Sequence, residues 1–449
     1  MRTISDLPED LVAEEILSRV PLSCSRSVRS TCKKWNASSK NRILGKKAKR
    51  QFMGFLMMDH KICFMNLDLQ GIHKSLVNPS SIKQVSIFDQ IDVATVFQCE
   101  GLLLCVLEDN SRLLVWNPYL GETKWIQPRD KSRGQDAYAL GYDKKKRTHK
   151  ILRNFDFPLS GREYVIVYEI YDFSSNSWKV LHVPTDDCHI SSHINGASLK
   201  GNTYFLARKK RVTKILEDLL LCFDFTTESF RPLPLPFRDT FSDGGDFVSL
   251  SCVKEEQLAV LYQRYWNPPT AIEIFVTNKI DDLNAVSWIK FLKLSTSFYG
   301  LCLSGSFFID QEKKVAVVFD LELPTNDNSR RRRYQTAHII GEDGYLKSVT
   351  IRGAPRTWSS GRIEHYTKQC CVPLVCPSYV PSLVRLPINK PSRANGEKVI
   401  IINRKFHLRQ YVILLNNLLL VFVCYLYLSS DELAFACFSF FLIVHKYNS

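Results

Sequence analysis

The sequence predicts a mainly β protein led by a small α-helical N-terminal module, and three observations carry that prediction. Over roughly 300 residues after Gln51, apolar runs of strand length alternate with turn residues. Within that stretch aromatic residues recur about every fifty positions. The first fifty residues differ: their carboxylates all fall between Asp6 and Glu15, and every charge from Arg19 to Arg50 is positive.

The chain has 449 residues, enough for more than one domain. Its 14 cysteines are scattered singly, many inside apolar strings such as GLLLCVL, and no apolar segment follows Met1. Buried free thiols in a reducing compartment, cytoplasm or nucleus, are expected rather than a disulfide framework. A net charge of +15 suits a polyanion partner, yet the excess is spread along the chain. Its dense spots are KKAKR at 46–50, KKKR at 144–147 and the arginines at 330–333, each read first as a solvated loop or helix end.

In the N-terminal module, Ser5 and Asp6 can cap a helix whose first turn holds Pro8, Glu9 and Asp10. Leu7, Leu11, Val12 and Ile16 recur at near-helical spacing, and Pro21 ends the helix. A second helical stretch covers Arg26 to Cys32, and Trp35 follows. So small a unit buries little surface alone, which favours a helix-in-groove partner. LPEDLVAEEILSRVP followed by RSVRSTCKKWN resembles the F-box motif, most closely its plant versions. The resemblance implies a three-helix F-box over 1–50 that docks a Skp-type adaptor and, through it, a cullin. The implied adaptor-binding residues are Leu7, Pro8, Leu11, Ile16, Leu17, Pro21, Val28, Cys32, Lys33 and Trp35. Cys24-Ser25 departs from the Ser-Leu or Ser-Met usual there, and losing a Leu-sized contact costs on the order of 2 kcal/mol.

The middle, 51–390, reads as all-β. Its runs include FMGFLMM, GLLLCVLED, EYVIVYEIYDF and VAVVFDLE. Leading aromatics at Trp116, Tyr171, Phe223, Phe275 and Phe319 lie 55, 52, 52 and 44 residues apart, with a second aromatic following at Trp125, Trp178, Phe230 and Trp288. Such a period fits one four-stranded propeller blade per repeat; a large β-sandwich is the alternative. Segments such as CEGLLLC, WNPYLGETKWI, YDFSSNSWKVL and YVPSLVRL are similar to the plant F-box-associated domain, type 1, a kelch-like β-propeller. That resemblance implies a region that presents a protein substrate to a ligase. Contacts are expected on loops near 129–137, 208–214, 239–246, 263–270 and 324–334 of one face.

No catalytic motif is present: no Walker A loop, H-E-x-x-H, G-x-S-x-G or Rossmann fingerprint. His365, Cys370, Cys371 and Cys376 lack the C-x-x-C spacing that zinc favours, so no metal or cofactor is expected. What the two resemblances imply is a non-catalytic receptor subunit of an SCF (Skp-cullin-F-box) ubiquitin ligase that promotes target ubiquitination and degradation. A non-ligase scaffold and a basic nucleic-acid-associated β-protein are the alternatives. The sequence names no substrate. In the tail, 391–449, eighteen uncharged residues at 411–428 follow a basic flank. A non-native segment, a membrane tail anchor and a buried helix all fit them.

Overall fold

The computed structural model describes residues 52–58, 60–67, 82–129, 136–158, 164–182, 188–190, 196–210, 216–237, 247–254, 256–263, 270–280, 286–296, 306–322, 334–353, 374–376, 379 and 382–386. Among these, the strands form six antiparallel sheets. Blade 1 joins β1 (Phe52–Met58), β2 (Lys61–Leu67) and β3 (Lys83–Gln84) to β25 (Leu374–Cys376). Blade 2 is β4 (Val93–Cys99), β5 (Leu102–Leu107), β6 (Leu113–Asn117) and β7 (Glu122–Ile126). Blade 3 is β8 (Ala137–Asp143), β9 (Thr148–Pro158), β10 (Tyr164–Asp172) and β11 (Ser177–Leu181). Blade 4 has its inner position split between β12 (Cys188–Ile190) and β13 (Ala197–Leu199), followed by β14 (Asn202–Lys210), β15 (Leu216–Asp224) and β16 (Ser229–Leu233). Blade 5 is β17 (Phe247–Val253), β18 (Gln257–Gln263), β19 (Thr270–Thr277) and β20 (Trp288–Thr296). Blade 6 is β21 (Phe307–Asp310), β22 (Val315–Glu322), β23 (Tyr334–Gly341) and β24 (Leu346–Gly353).

The apolar cores close these sheets into a ring. Phe55 packs with Trp116 between blades 1 and 2, and Leu104 with Leu140 between 2 and 3. Leu152 and Phe223 share the core between 3 and 4, and Leu220 and Val260 the core between 4 and 5. Leu261 and Val318 share the core between 5 and 6, and Phe319 and Leu56 the core between 6 and 1. Each sheet is thus covered on both faces, which a two-sheet sandwich does not do; the architecture is a six-bladed propeller. Double coverage also explains why β5 is an unbroken apolar run buried throughout, while the outer strand β11 is mostly exposed.

The aromatic repeat has a structural meaning. Trp116, Tyr171 and Phe223 sit on third strands and face the preceding blade, and Phe275 lies 6.4 Å from Phe237, which follows blade 4. The fourth-strand tryptophans Trp178 and Trp288 each donate their indole N–H across the seam, to Gln127 O and Pro234 O. Phe319 is a correction to the repeat. It lies on the second strand of blade 6 and faces blade 1, and Ile340 of the third strand faces blade 5 as the other repeat aromatics face theirs. The short final interval of 44 residues reflects that one-strand offset.

The ring has two unlike ends. At one, first strands turn tightly into second strands: Glu100 and Gly101 join β4 to β5, and Lys200 and Gly201 join β13 to β14, all at positive φ. Lys144, Lys145, Lys146 and Arg147 form an exposed turn at this end, as expected of a charge run. At the other end open the connections between second and third strands and those that pass to the next blade. β1 enters blade 1 at the turn end, since its far end at Met58 leads to His60, which pairs with Glu108 just past β5. β25, antiparallel to β1, also leaves blade 1 at the turn end. β25 supplies the inner strand of blade 1; Tyr379 then enters the core between blades 1 and 2, and Leu386 the core between 2 and 3. Asn117 fixes this strap by donating to Ser382 O and Val384 O. Residues 1–50 and 391–449, with every implied adaptor-binding residue and the apolar tail, lie outside the described residues, among which no helix is long and apolar enough to cross a membrane.

Candidate partner-binding face

All five stretches expected to contact a substrate are flanked by described strand ends at one end of the ring. The strand order explains why: 129–137 and 239–246 join fourth strands to the next blade, while 208–214, 263–270 and 324–334 join second to third strands. Only their stems are described, and a layer of charged and polar side chains lies beneath them. The arginines at 330–333 belong to the connection between β22 and β23, outside the described residues.

Arg153 of β9 is the centre of this layer in blade 3. It is 1% exposed, and its Nε and Nη2 donate to Asp136 Oδ2 at 2.9 and 2.8 Å. Its Nη1 donates to Glu169 Oε2 of β10 at 3.0 Å, and the guanidinium lies 4.5 Å over the Phe155 ring. Burial alone would favour a neutral guanidine; Asp136, Glu169 and neighbouring Tyr138 outweigh it and hold Arg153 charged. Burial raises the Tyr138 hydroxyl pKa, so it donates, here to Asp136 Oδ2 at 3.3 Å. Arg129 reaches the other Glu169 oxygen at 4.0 Å. Both ends of the blade 2 to blade 3 connection, Arg129 and Asp136, are therefore tied to one buried arginine–glutamate pair.

Blade 4 repeats the device with Arg208 Nε on Asp218 Oδ1 at 2.9 Å, directly across β14 and β15. In blade 5, burial would raise the Glu273 pKa, but Lys290 and Lys293 at 2.8 and 3.3 Å outweigh it and lower it. In blade 6, buried His338 meets Ser348 Oγ at 2.9 Å through Nδ1, and its Nε2 stands 3.9 Å from Asp320 Oδ2. Sequence reasoning placed the loops but not these stems. The signal was present: Arg153, Glu169 and Asp320 are charges set inside apolar strand runs, KILRNF, YEIY and VVFDLE. Buried charges of this kind are kept only when paired.

Among the described residues no group of three or more His, Cys, Asp or Glu is placed to hold a metal ion. Cys376 lies on β25 opposite Phe55 of β1, and His365, Cys370 and Cys371 lie outside the described residues. The described stems of the face carry charged and polar side chains held in ion pairs and hydrogen bonds, an arrangement suited to binding.

Comparison with known proteins decides the family. The F-box associated beta propeller domain matches residues 53–386, and the F-box domain matches residues 4–47. The chain belongs to the F-box-associated propeller family. An F-box/kelch-repeat protein of Arabidopsis thaliana is 57% identical over 409 residues, covering 88% of this chain and 99% of that relative. A second Arabidopsis thaliana F-box protein is 47% identical over 409 residues, 86% of this chain and all of that relative. Among solved structures, a chain of a nidogen/laminin complex aligns at a TM-score of 0.37 and 9% identity over 72% of this chain and 97% of that one, too remote to carry an argument. F-box domains generally bind Skp-type adaptors, and F-box propeller proteins are generally non-catalytic receptors. The family match supports a substrate-receptor role in an SCF ligase for this F-box propeller protein.

Proposed function

We propose that this F-box propeller protein captures a target protein on its loop face, docks a Skp-type adaptor and through it a cullin by its F-box, and so directs ubiquitination and degradation of that target. The observation that carries the reading is the pairing, on one chain, of an F-box match at 4–47 with a propeller whose first strand starts at the turn end. Phe52, where the described chain enters the ring, lies at the turn end, opposite the end at which second strands connect to third strands. The gain in rate is positional: a lysine of the bound target is held near a ubiquitin-charged enzyme, raising its effective concentration without chemistry on this chain. We place this activity in the cytoplasm or nucleus. The test is reconstitution of the full chain with adaptor, cullin and ubiquitin-loading enzymes, using a protein captured by the propeller. The reading expects ubiquitin transfer that falls at least tenfold with Leu11→Ala/Ile16→Ala. Transfer unchanged by that double substitution would overturn it.

A further inference from the structure

Ion pairs at the loop end of the ring are asymmetric in which partner faces solvent. At the seam of blades 1 and 2 the carboxylates are outermost. Asp92 is 61% exposed over Lys61, and Lys61 is turned inward onto Phe88 O, Asp89 O and Ile91 O. Glu108 is 26% exposed over the more buried His60. Asp89 and Asp109 beside them are exposed as well; among the described side chains here the exposed cation is Arg112, whose guanidinium is stacked 4.7 Å over Trp125.

From blade 3 to blade 5 the order reverses. Arg129 is 54% exposed and its Glu169 partner is buried. Arg208 is 33% exposed over buried Asp218, and Lys293 is 53% exposed over Glu273. Glu169 and Asp218 each sit on strands whose backbone the sheet already satisfies, so burying these carboxylates costs free energy that a solvated lysine would not require. Their effect is to aim cations outward from fixed stems. Arg208 and Glu273 approach one seam: the residues alternating with Arg208, Tyr204 and Leu206, pack toward blade 5, and Phe275, two residues past Glu273, meets Phe237.

We infer that the loop face is an oriented electrostatic docking surface, and that blades 3 to 5 take an acidic segment of a partner protein. This rests on the receptor reading above and names the chemistry of its substrate. A segment rich in Asp, Glu or phosphoserine gains charge-assisted hydrogen bonds from Arg129, Arg208 and Lys293. The carboxylates of blades 1 and 2 repel the same segment and fix its direction.

The experiment uses the full chain and a fluorescent twelve-residue Glu/Asp-rich peptide, read by anisotropy against a neutral peptide, a Lys-rich peptide and a single-stranded RNA of equal length. The acidic peptide is expected to bind best. Arg129→Gln/Arg208→Gln/Lys293→Gln should weaken it at least tenfold. The same loss of three charges at the turn end, Lys144→Gln/Lys145→Gln/Arg147→Gln, should change it less than twofold, which separates a placed surface from overall charge. Equal losses in the two triple variants, equal binding of the neutral peptide, or a preference for RNA would each overturn the inference. If the Arg208 change lowers the melting temperature, the Arg129→Gln/Lys293→Gln pair gives the decisive comparison. Adaptor binding is measured on every variant. Lost peptide preference with adaptor binding intact removes this inference alone; lost adaptor binding by the native chain removes the receptor reading and leaves the peptide result standing.

Discussion

Two buried histidines make the fold sensitive to acid. His149 is held by burial at a pKa of about 4, opposed only in part by its bond to the Cys99 backbone. His338 is likewise held at about 4 by burial, with Asp320 as its nearest carboxylate. Both values lie below the unfolded 6.5, so below that pH the unfolded chain takes up protons that the folded chain refuses. Stability is therefore full above pH 6.5 and falls as pH drops toward 4, by about 2 kcal/mol per histidine at pH 5. Chemical denaturation at pH 7 and pH 5 should show that loss, and His338→Gln should flatten it by roughly half. Asn117 is the other exacting residue. Asn117→Asp keeps the oxygen that accepts from Leu120 N but loses both bonds to the strap. A loss of about 2 kcal/mol is expected, read as faster proteolytic cleavage after residue 376.

At the scale of the element, one turn recurs five times among the described residues. Asn117, Asp143, Asp172, Asp224 and Asp310 each end a strand and pair with the residue five positions on. Each Oδ1 accepts backbone N–H groups of its own turn, such as Lys145 and Lys146 N on Asp143 or Thr226 N on Asp224. The residue just before the returning strand has positive φ: Gly121, Arg147, Asn176, Glu228 and Lys314. Only the first is glycine, so two equivalent sites give opposite predictions. Arg147→Gly should relieve a left-handed side chain and stabilise by up to about 1 kcal/mol. Glu228→Gly should destabilise by about 3 kcal/mol or more, because it strips Lys150, 1% exposed and bonded to Glu228 at 2.8 Å, of one of its two carboxylates. Thermal melts of the pair check both signs. These turns were legible as Asp, Asn and Gly between apolar runs, and so were the strands. The charged stems were not, because Arg153 and Asp136 are seventeen residues apart and meet only once β8 and β9 pair.

Across the whole molecule, the repeat of aromatics led to the propeller because each repeat marks one seam. Blade number stayed hidden for physical reasons. Blade 1 is assembled from both termini of the ring, so no contiguous segment encodes it. Blade 4 breaks its inner strand between β12 and β13, and blade 6 places its aromatic on a different strand. Closure by β25 implies that a chain ending at residue 372 exposes the edge of β1 and aggregates, whereas one ending at 389 keeps the native melting temperature. On the function proposed here, the first fifty residues carry this propeller to a ligase. Isothermal titration of a purified Skp-type adaptor into the full chain tests it most directly, beside the Leu11→Ala/Ile16→Ala variant. Saturable one-to-one binding that the double substitution abolishes is the predicted result. No binding by the native chain, or binding that survives the substitution, would mean that the N-terminal segment does not recruit the adaptor as proposed.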